Sequence, residues 1–196
     1  VLNDLGQFDL AILNYNKAIT YKPNFFQAYN NLGLSLNNIE MFKEALESFQ
    51  FAINIYPDYC DAYFNTGITY YNLGDLNQAI EYYKNSLKIS PQFAKACCNL
   101  GIVFREIGEF DAALESYQTA LQINPNYTEV YNNIGILYYD MRQFGLSIVN
   151  YKKAISLAPD HIDPWINLSF SQLVSGNFKE GWINYERRRN NSAYNT

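Results

Sequence analysis

The stretch Cys60–Phe93 reads CDAYFNTGITYYNLGDLNQAIEYYKNSLKISPQF, and its pattern of residues recurs along the chain. Five prolines follow one another at intervals of 34 residues: Pro23, Pro57, Pro91, Pro125 and Pro159. A glycine keeps the same interval: Gly33, Gly67, Gly101 and Gly135. A fixed period of this length is typical of a stacked array, in which each repeat buries its apolar face against its neighbours.

Each repeat contains two segments with the spacing of an amphipathic helix. In the first, an apolar stripe follows the i, i+3, i+4, i+7 pattern of one helix face: Tyr63, Thr66, Gly67 and Tyr70. Gly74 and Asp75 then suit the end of one helix and the start of the next. A glycine inside a helix costs about 1 kcal/mol relative to alanine. We therefore expect Gly67 to recur because a neighbouring helix approaches closely there.

The prolines set the boundaries of the repeats. When proline is position 32, full repeats span residues 26–59, 60–93, 94–127 and 128–161, and 162–196 is a terminal repeat with a tail. Residues 1–25 are a partial repeat, so we predict one continuous array over residues 1–196. Because Val1 lies in mid-repeat, we expect a piece of a longer protein. Its first helix would expose an apolar face and could support end-to-end self-association.

The composition excludes several kinds of partner. Charged residues make up 17% of the chain, against about 25% in an average soluble domain. The net charge of −5 argues against a nucleic-acid partner, which needs a basic face. The basic run Arg187–Arg189 is interpreted as a solvated helix end. No apolar run is long enough to span a bilayer, so we expect no membrane partner.

The sequence carries no recognisable catalytic pattern. We find no phosphate loop, paired-carboxylate arrangement or nucleophile elbow, and we predict no catalytic residue, metal site or cofactor. Three cysteines without metal-ligand spacing favour an intracellular, cytoplasmic location. His161 stands at position 34, where other repeats carry an aromatic residue, so it is interpreted as a packing residue.

The 34-residue period and its residue types resemble the tetratricopeptide repeat over nearly the whole chain. The resemblance implies an all-α fold, a right-handed superhelical solenoid of antiparallel helix pairs. In that family the first helix of each pair lines a concave groove. The implied function is non-catalytic protein–protein interaction, with a protein or extended peptide bound in that groove.

One polar row lies on the predicted groove side, with asparagine at position 6 of every repeat: Asn31, Asn65, Asn99, Asn133 and Asn167. Position 9 is apolar, as Leu34, Ile68, Ile102 and Ile136. Position 12 adds two aromatic residues and a cation, Tyr71, Tyr139 and Arg105. An asparagine amide can bond both the N–H and the C=O of a peptide backbone, whatever its side chains are. These positions are therefore predicted to bind peptide, and the mildly acidic groove should prefer neutral or basic segments.

The asparagine row resembles the ladder in the superhelix of O-linked N-acetylglucosamine transferase, where matching residues hold the substrate backbone. A structural interpretation stays open beside it, because asparagine is abundant here and could bond within or between helices. The segment Gly176–Arg187 also resembles the closing repeat of bacterial tetratricopeptide proteins that continue into a glycosyltransferase-like domain. The alternative function is therefore the substrate-recognition arm of a larger protein glycosyltransferase.

Overall fold

The computed structural model describes residues 6–187, and within them all regular structure is helical. The eleven helices in that range are α1 Phe8–Tyr21, α2 Phe26–Asn38, α3 Phe42–Ile55, α4 Cys60–Asn72, α5 Leu76–Ile89, α6 Ala94–Glu106, α7 Phe110–Ile123, α8 Thr128–Asp140, α9 Phe144–Leu157, α10 Ile162–Val174 and α11 Phe178–Tyr185. Every first helix from α2 onward begins at position 1 of the repeat, and every second helix at position 17. The predicted all-α fold of paired helices is confirmed.

The chain divides into two compact units, one ending at Val103 and one starting at Phe104. In the first unit each helix from α1 to α5 packs on the next, and α2 also lies beside α4. In the second unit each helix from α7 to α11 packs on the next, and α8 lies beside α10. Within each unit, first helices of successive repeats are therefore neighbours.

Close packing explains the glycine at position 8. A Cβ atom built on Gly67 would lie 2.7 Å from the ring of Tyr83, the aromatic residue at position 24 of the same repeat. The same contact joins Gly33 to Phe49, and Gly135 to Tyr151. The three rings are almost fully buried. The predicted close approach of a neighbouring helix is therefore confirmed at these glycines, since any larger residue would displace a buried ring.

The turn between paired helices places position 15 in the left-handed region of backbone conformation. Gly74, Gly108 and Gly176 have φ values of 78°, 82° and 85°, as suits a glycine after a helix end. Glu40 and Arg142 adopt similar values of 61° and 59° at the same position. The geometry of the turn is thus kept even where the residue is not glycine, at an energetic cost.

The two ends of the described chain bear on earlier expectations. Leu10 and Leu13 of α1 are 46% and 50% exposed, and end-to-end association through this helix stays a prediction. At the other end, the guanidinium carbon of Arg187 lies 3.8 Å from the centre of the Trp165 ring. Arg188 and Arg189 lie outside the described residues. Within the described part of the chain, no helix has the length and apolar character needed to cross a membrane.

Candidate functional site

The asparagines at position 6 fall into two groups. Asn65 is 8% exposed, and its Nδ2 donates a hydrogen bond to Oδ1 of Asn30, 2.9 Å away. Asn167 is half-buried, and its Nδ2 donates to Oδ1 of Asn132 at 3.0 Å. In both pairs the acceptor is at position 5 of the preceding repeat. These two asparagines thus bond between repeats, as the structural interpretation expects.

Asn99 cannot form this bond, because the residue at position 5 of the preceding repeat is Phe64. Its Nδ2 lies 3.4 Å from the hydroxyl oxygen of Tyr83 instead. Asn31 is half-buried on α2, where its backbone carbonyl accepts a bond from the hydroxyl of Ser35. The fifth asparagine, Asn133, lines a separate cleft described below. Position 6 therefore has no single role along the chain.

Three predicted site residues meet at a small pocket in the first unit. Its volume is about 90 Å³, and its lining is Tyr71, Tyr83, Asn99 and Ile102. Burial raises the pKa of the Tyr83 phenol well above its usual value, so this hydroxyl stays protonated at neutral pH. The pocket combines an amide, a neutral hydroxyl and apolar side chains, and its volume suits a small apolar side chain beside a peptide amide.

The other predicted site residues make contacts within the protein or are half-buried on its helices. Arg105 donates from Nη1 to Oδ2 of Asp140 at 2.8 Å, across 35 residues. Burial alone would lower the pKa of Arg105. The hydrogen bond to Asp140 and the negative charge of that carboxylate outweigh burial, so the pKa of Arg105 is raised. The Tyr139 ring packs edge-on against Phe144 at 5.4 Å, and Leu34 packs against the core of α2 and α3. Two further residues are half-buried on α4 and α8: Ile68 and Ile136.

A larger cleft in the second unit was missed by the sequence reasoning, apart from Asn133. We call it the 128–163 cleft. Its volume is about 620 Å³, and it is lined by Asn124, Asn126, Tyr127, Thr128, Glu129, Asn132, Asn133, Ala158, His161 and Asp163. The available signal was position 34, which is aromatic in the other full repeats and is His161 here.

His161 corrects the interpretation made from the sequence. It is exposed rather than packed, and its Nε2 lies 3.8 Å from Oδ2 of Asp163. The physical reason is local, because positions 1, 5 and 31 of its repeat are Thr128, Asn132 and Ala158, none of which offers an aromatic ring for it to pack against.

Neither a metal centre nor a disulfide is formed by the residues described. Among residues 6–187, no group of three or more His, Cys, Asp or Glu side chains is arranged to hold a metal ion. The cysteines are free thiols, and burial raises the pKa of Cys97. This thiol is therefore less nucleophilic than an exposed one, and its position is that of a packing residue.

Comparisons with known proteins follow the repeat register. A search of curated proteins gave no match. Models described as "TPR repeat" match residues 1–38 and 101–141, and models described as "Tetratricopeptide repeat" match residues 26–59, 60–93 and 128–161. Together these models cover most of the chain.

Solved structures give the same assignment. MamA has a TM-score of 0.70 and 26% identity, covering 80% of this chain and 91% of its own. YrrB, described as a TPR protein with an unusual peptide-binding site, has a TM-score of 0.67 and 19% identity. The match covers 87% of this chain and 88% of YrrB. TTC0263 of Thermus thermophilus, described as a thermophilic TPR protein, has a TM-score of 0.74 and 24% identity. The match covers 88% of this chain and 94% of TTC0263. With the family models and helix pairs above, these likenesses show that the chain belongs to the tetratricopeptide repeat family.

Proposed function

We propose that this chain is a non-catalytic protein-interaction module that binds an extended polypeptide against its first helices. The observation that carries the proposal is the pocket of Tyr71, Asn99 and Ile102, where three residues predicted for peptide binding share one concavity with Tyr83. Membership of a family with peptide-binding relatives such as YrrB supports it.

Different asparagines have different parts in this proposal. Asn99 presents its amide to the backbone of the bound peptide, while Ile102 and Tyr71 contact an apolar side chain. Asn65 and Asn167 act indirectly, because their bonds to the preceding repeat hold neighbouring first helices in register. Replacing Asn65 should therefore reduce stability before it reduces binding.

A peptide array tests the proposal with the native chain and the Asn99→Ala/Ile102→Ala variant. We expect the native chain to bind a subset of extended peptides, and the variant to lose at least tenfold in affinity for them. Loss of two central contacts accounts for a change of this size, since tenfold corresponds to about 1.4 kcal/mol.

The matched control is Asn77→Ala on α5, which removes an exposed asparagine away from the pocket. Circular dichroism establishes that each variant keeps its helical content. Equal binding by the native chain and the folded double variant would contradict the pocket as the binding centre. Absence of binding to any peptide by the native chain would contradict the proposed function itself.

A further inference from the structure

We propose that the 128–163 cleft is a second recognition site, specific for a basic side chain, with arginine preferred, on a bound polypeptide. The proposal rests on the proposed function only for the class of partner, a polypeptide. The cleft, its charge and its origin are independent of the pocket around Asn99.

The space that the cleft occupies here is filled by aromatic side chains in one other repeat. In the repeat 26–59, the Phe26 ring lies 4.9 Å from both Tyr56 and Tyr59. These three residues hold positions 1, 31 and 34. The same positions beside the cleft carry the smaller or more polar residues Thr128, Ala158 and His161.

A second junction of the first unit is also closed by aromatic residues. There Phe64 and Phe93 pack with their ring centres 4.8 Å apart, at positions 5 and 34. Asn132 and His161 hold those positions at the cleft, and both line it. The cleft therefore lacks both sets of ring contacts, and several polar side chains converge on it, as they do in a binding site.

The charge of the lining selects the ligand. Glu129 and Asp163 both line the cleft, and no lysine or arginine lines it. Glu129 makes no ion pair with a described residue, while Asp163 lies near His161. A cation entering the cleft therefore meets two carboxylates, and an anion is repelled by them.

Hydrogen bonds orient some of the asparagines that line the cleft. Asn132 is held by its bond from Asn167, and Oδ1 of Asn124 accepts a hydrogen bond from the backbone N–H of Asn126 at 3.2 Å. Tyr127 adds an aromatic ring to the lining. A planar guanidinium can bond a carboxylate with two parallel N–H groups and stack on an aromatic face, which an ammonium does less well. These features favour arginine over lysine.

The size of the cleft agrees with a residue in its peptide context. About 620 Å³ lies within the range of ligand pockets and exceeds the need of one side chain. Asparagine amides of the lining can donate hydrogen bonds to the backbone on either side of the basic residue.

The test titrates the 15N-labelled full chain with N-acetyl-arginine amide and with N-acetyl-citrulline amide, its uncharged isostere. We expect chemical-shift changes confined to residues 124–133 and 158–163, and at least tenfold weaker binding of the citrulline probe. Equal binding of the two probes, no binding of the arginine probe, or shifts centred elsewhere would overturn the proposal.

Variants give a second, independent readout. The Glu129→Gln/Asp163→Asn variant removes both carboxylates with little change of volume and should weaken arginine binding at least tenfold. The Asp111→Asn/Glu115→Gln variant removes the same charge from exposed positions of α7 and should bind as the native chain does. Equal weakening by both variants would show a general charge effect and overturn the site.

The refilled variant Thr128→Phe/Ala158→Tyr/His161→Tyr should abolish binding of the arginine probe. If it fails to fold, the carboxylate variants still decide the question. Binding of neutral peptides on the peptide array tests the proposed function, whereas binding of the arginine probe tests the cleft alone. Failure of one is therefore distinguishable from failure of the other.

Discussion

Two junctions of this protein share a backbone plan and differ in what occupies the space beside it. At residues 26–61 the rings of Phe26, Tyr56 and Tyr59 pack on one another. At residues 128–163 the same positions leave a cleft of about 620 Å³. Small residues and the glycine–aromatic contacts maintain the helix pairs in both. Side chains at positions 1, 31 and 34 can therefore change from filling this space to leaving it open without altering the fold.

The largest effect is expected from emptying the filled junction. The Phe26→Thr/Tyr56→Ala/Tyr59→His variant carries the residues of the cleft and should lose about 3 kcal/mol of unfolding free energy. Urea denaturation followed by circular dichroism measures the loss. A change below about 1 kcal/mol would show that these half-exposed rings contribute little, and that filling is not their main role.

The asparagine pairs allow the two junctions to be compared with a matched substitution. Asn30→Ala leaves Nδ2 of the buried Asn65 without its acceptor and should cost about 2 kcal/mol. Asn132→Ala removes the acceptor of the half-buried Asn167, which water can reach, and should cost about 1 kcal/mol. Equal costs in urea denaturation would contradict burial as the cause of the difference.

Filling the cleft should have a smaller effect of opposite sign. The Thr128→Phe/Ala158→Tyr/His161→Tyr variant adds aromatic contacts and should gain about 1 kcal/mol of unfolding free energy. The expected signature is a higher melting temperature together with lost arginine binding. A lower melting temperature in a folded variant would mean that the new rings do not pack as they do around Phe26.

The finest comparison concerns position 24, where the filled repeat has Phe49 and the open repeat has Tyr151. Burial raises the pKa of Tyr151, although a hydrogen bond with Ser147 opposes the shift. The native state therefore keeps this proton when the unfolded chain, with a tyrosine pKa of about 10, releases it. Stability should be constant below that pH and fall as the pH rises above it.

The Tyr151→Phe variant tests this assignment. It should lose less unfolding free energy than the native chain between pH 8 and pH 11, as measured by urea denaturation. An identical loss in both proteins would place the alkaline sensitivity at other tyrosines, such as Tyr83, whose pKa burial also raises.

The fold was largely predictable because its determinants lie at fixed positions within each repeat. Gly67 could be assigned a packing role from its recurrence alone, and its contact with Tyr83 confirms that role. Tyr71, Asn99 and Ile102 were selected as positions 12, 6 and 9 on the groove side of two successive repeats, and they meet at one pocket. Their binding of peptide stays a prediction.

The rest depends on pairs of repeats, which a single-repeat pattern does not describe. Asn65 bonds to Asn30 because the preceding repeat has asparagine at position 5, whereas Asn99 follows Phe64 and bonds elsewhere. Arg105 was assigned to peptide binding, yet it is paired with Asp140 of the next repeat. The cleft differs from the filled repeat 26–59 at positions 1, 31 and 34 together, and of these only position 34 is aromatic in every other full repeat.

The bonds between repeats also bear on how the chain acquires its structure. Those joining Asn65 to Asn30, Asn167 to Asn132 and Arg105 to Asp140 each span 35 residues, about one repeat. Each new helix pair can thus find its partners within the segment made just before it, and long loops need not close first. Folding can therefore advance from one repeat to the next during synthesis. A destabilising substitution in one repeat would then stop folding at that repeat and leave the earlier repeats folded.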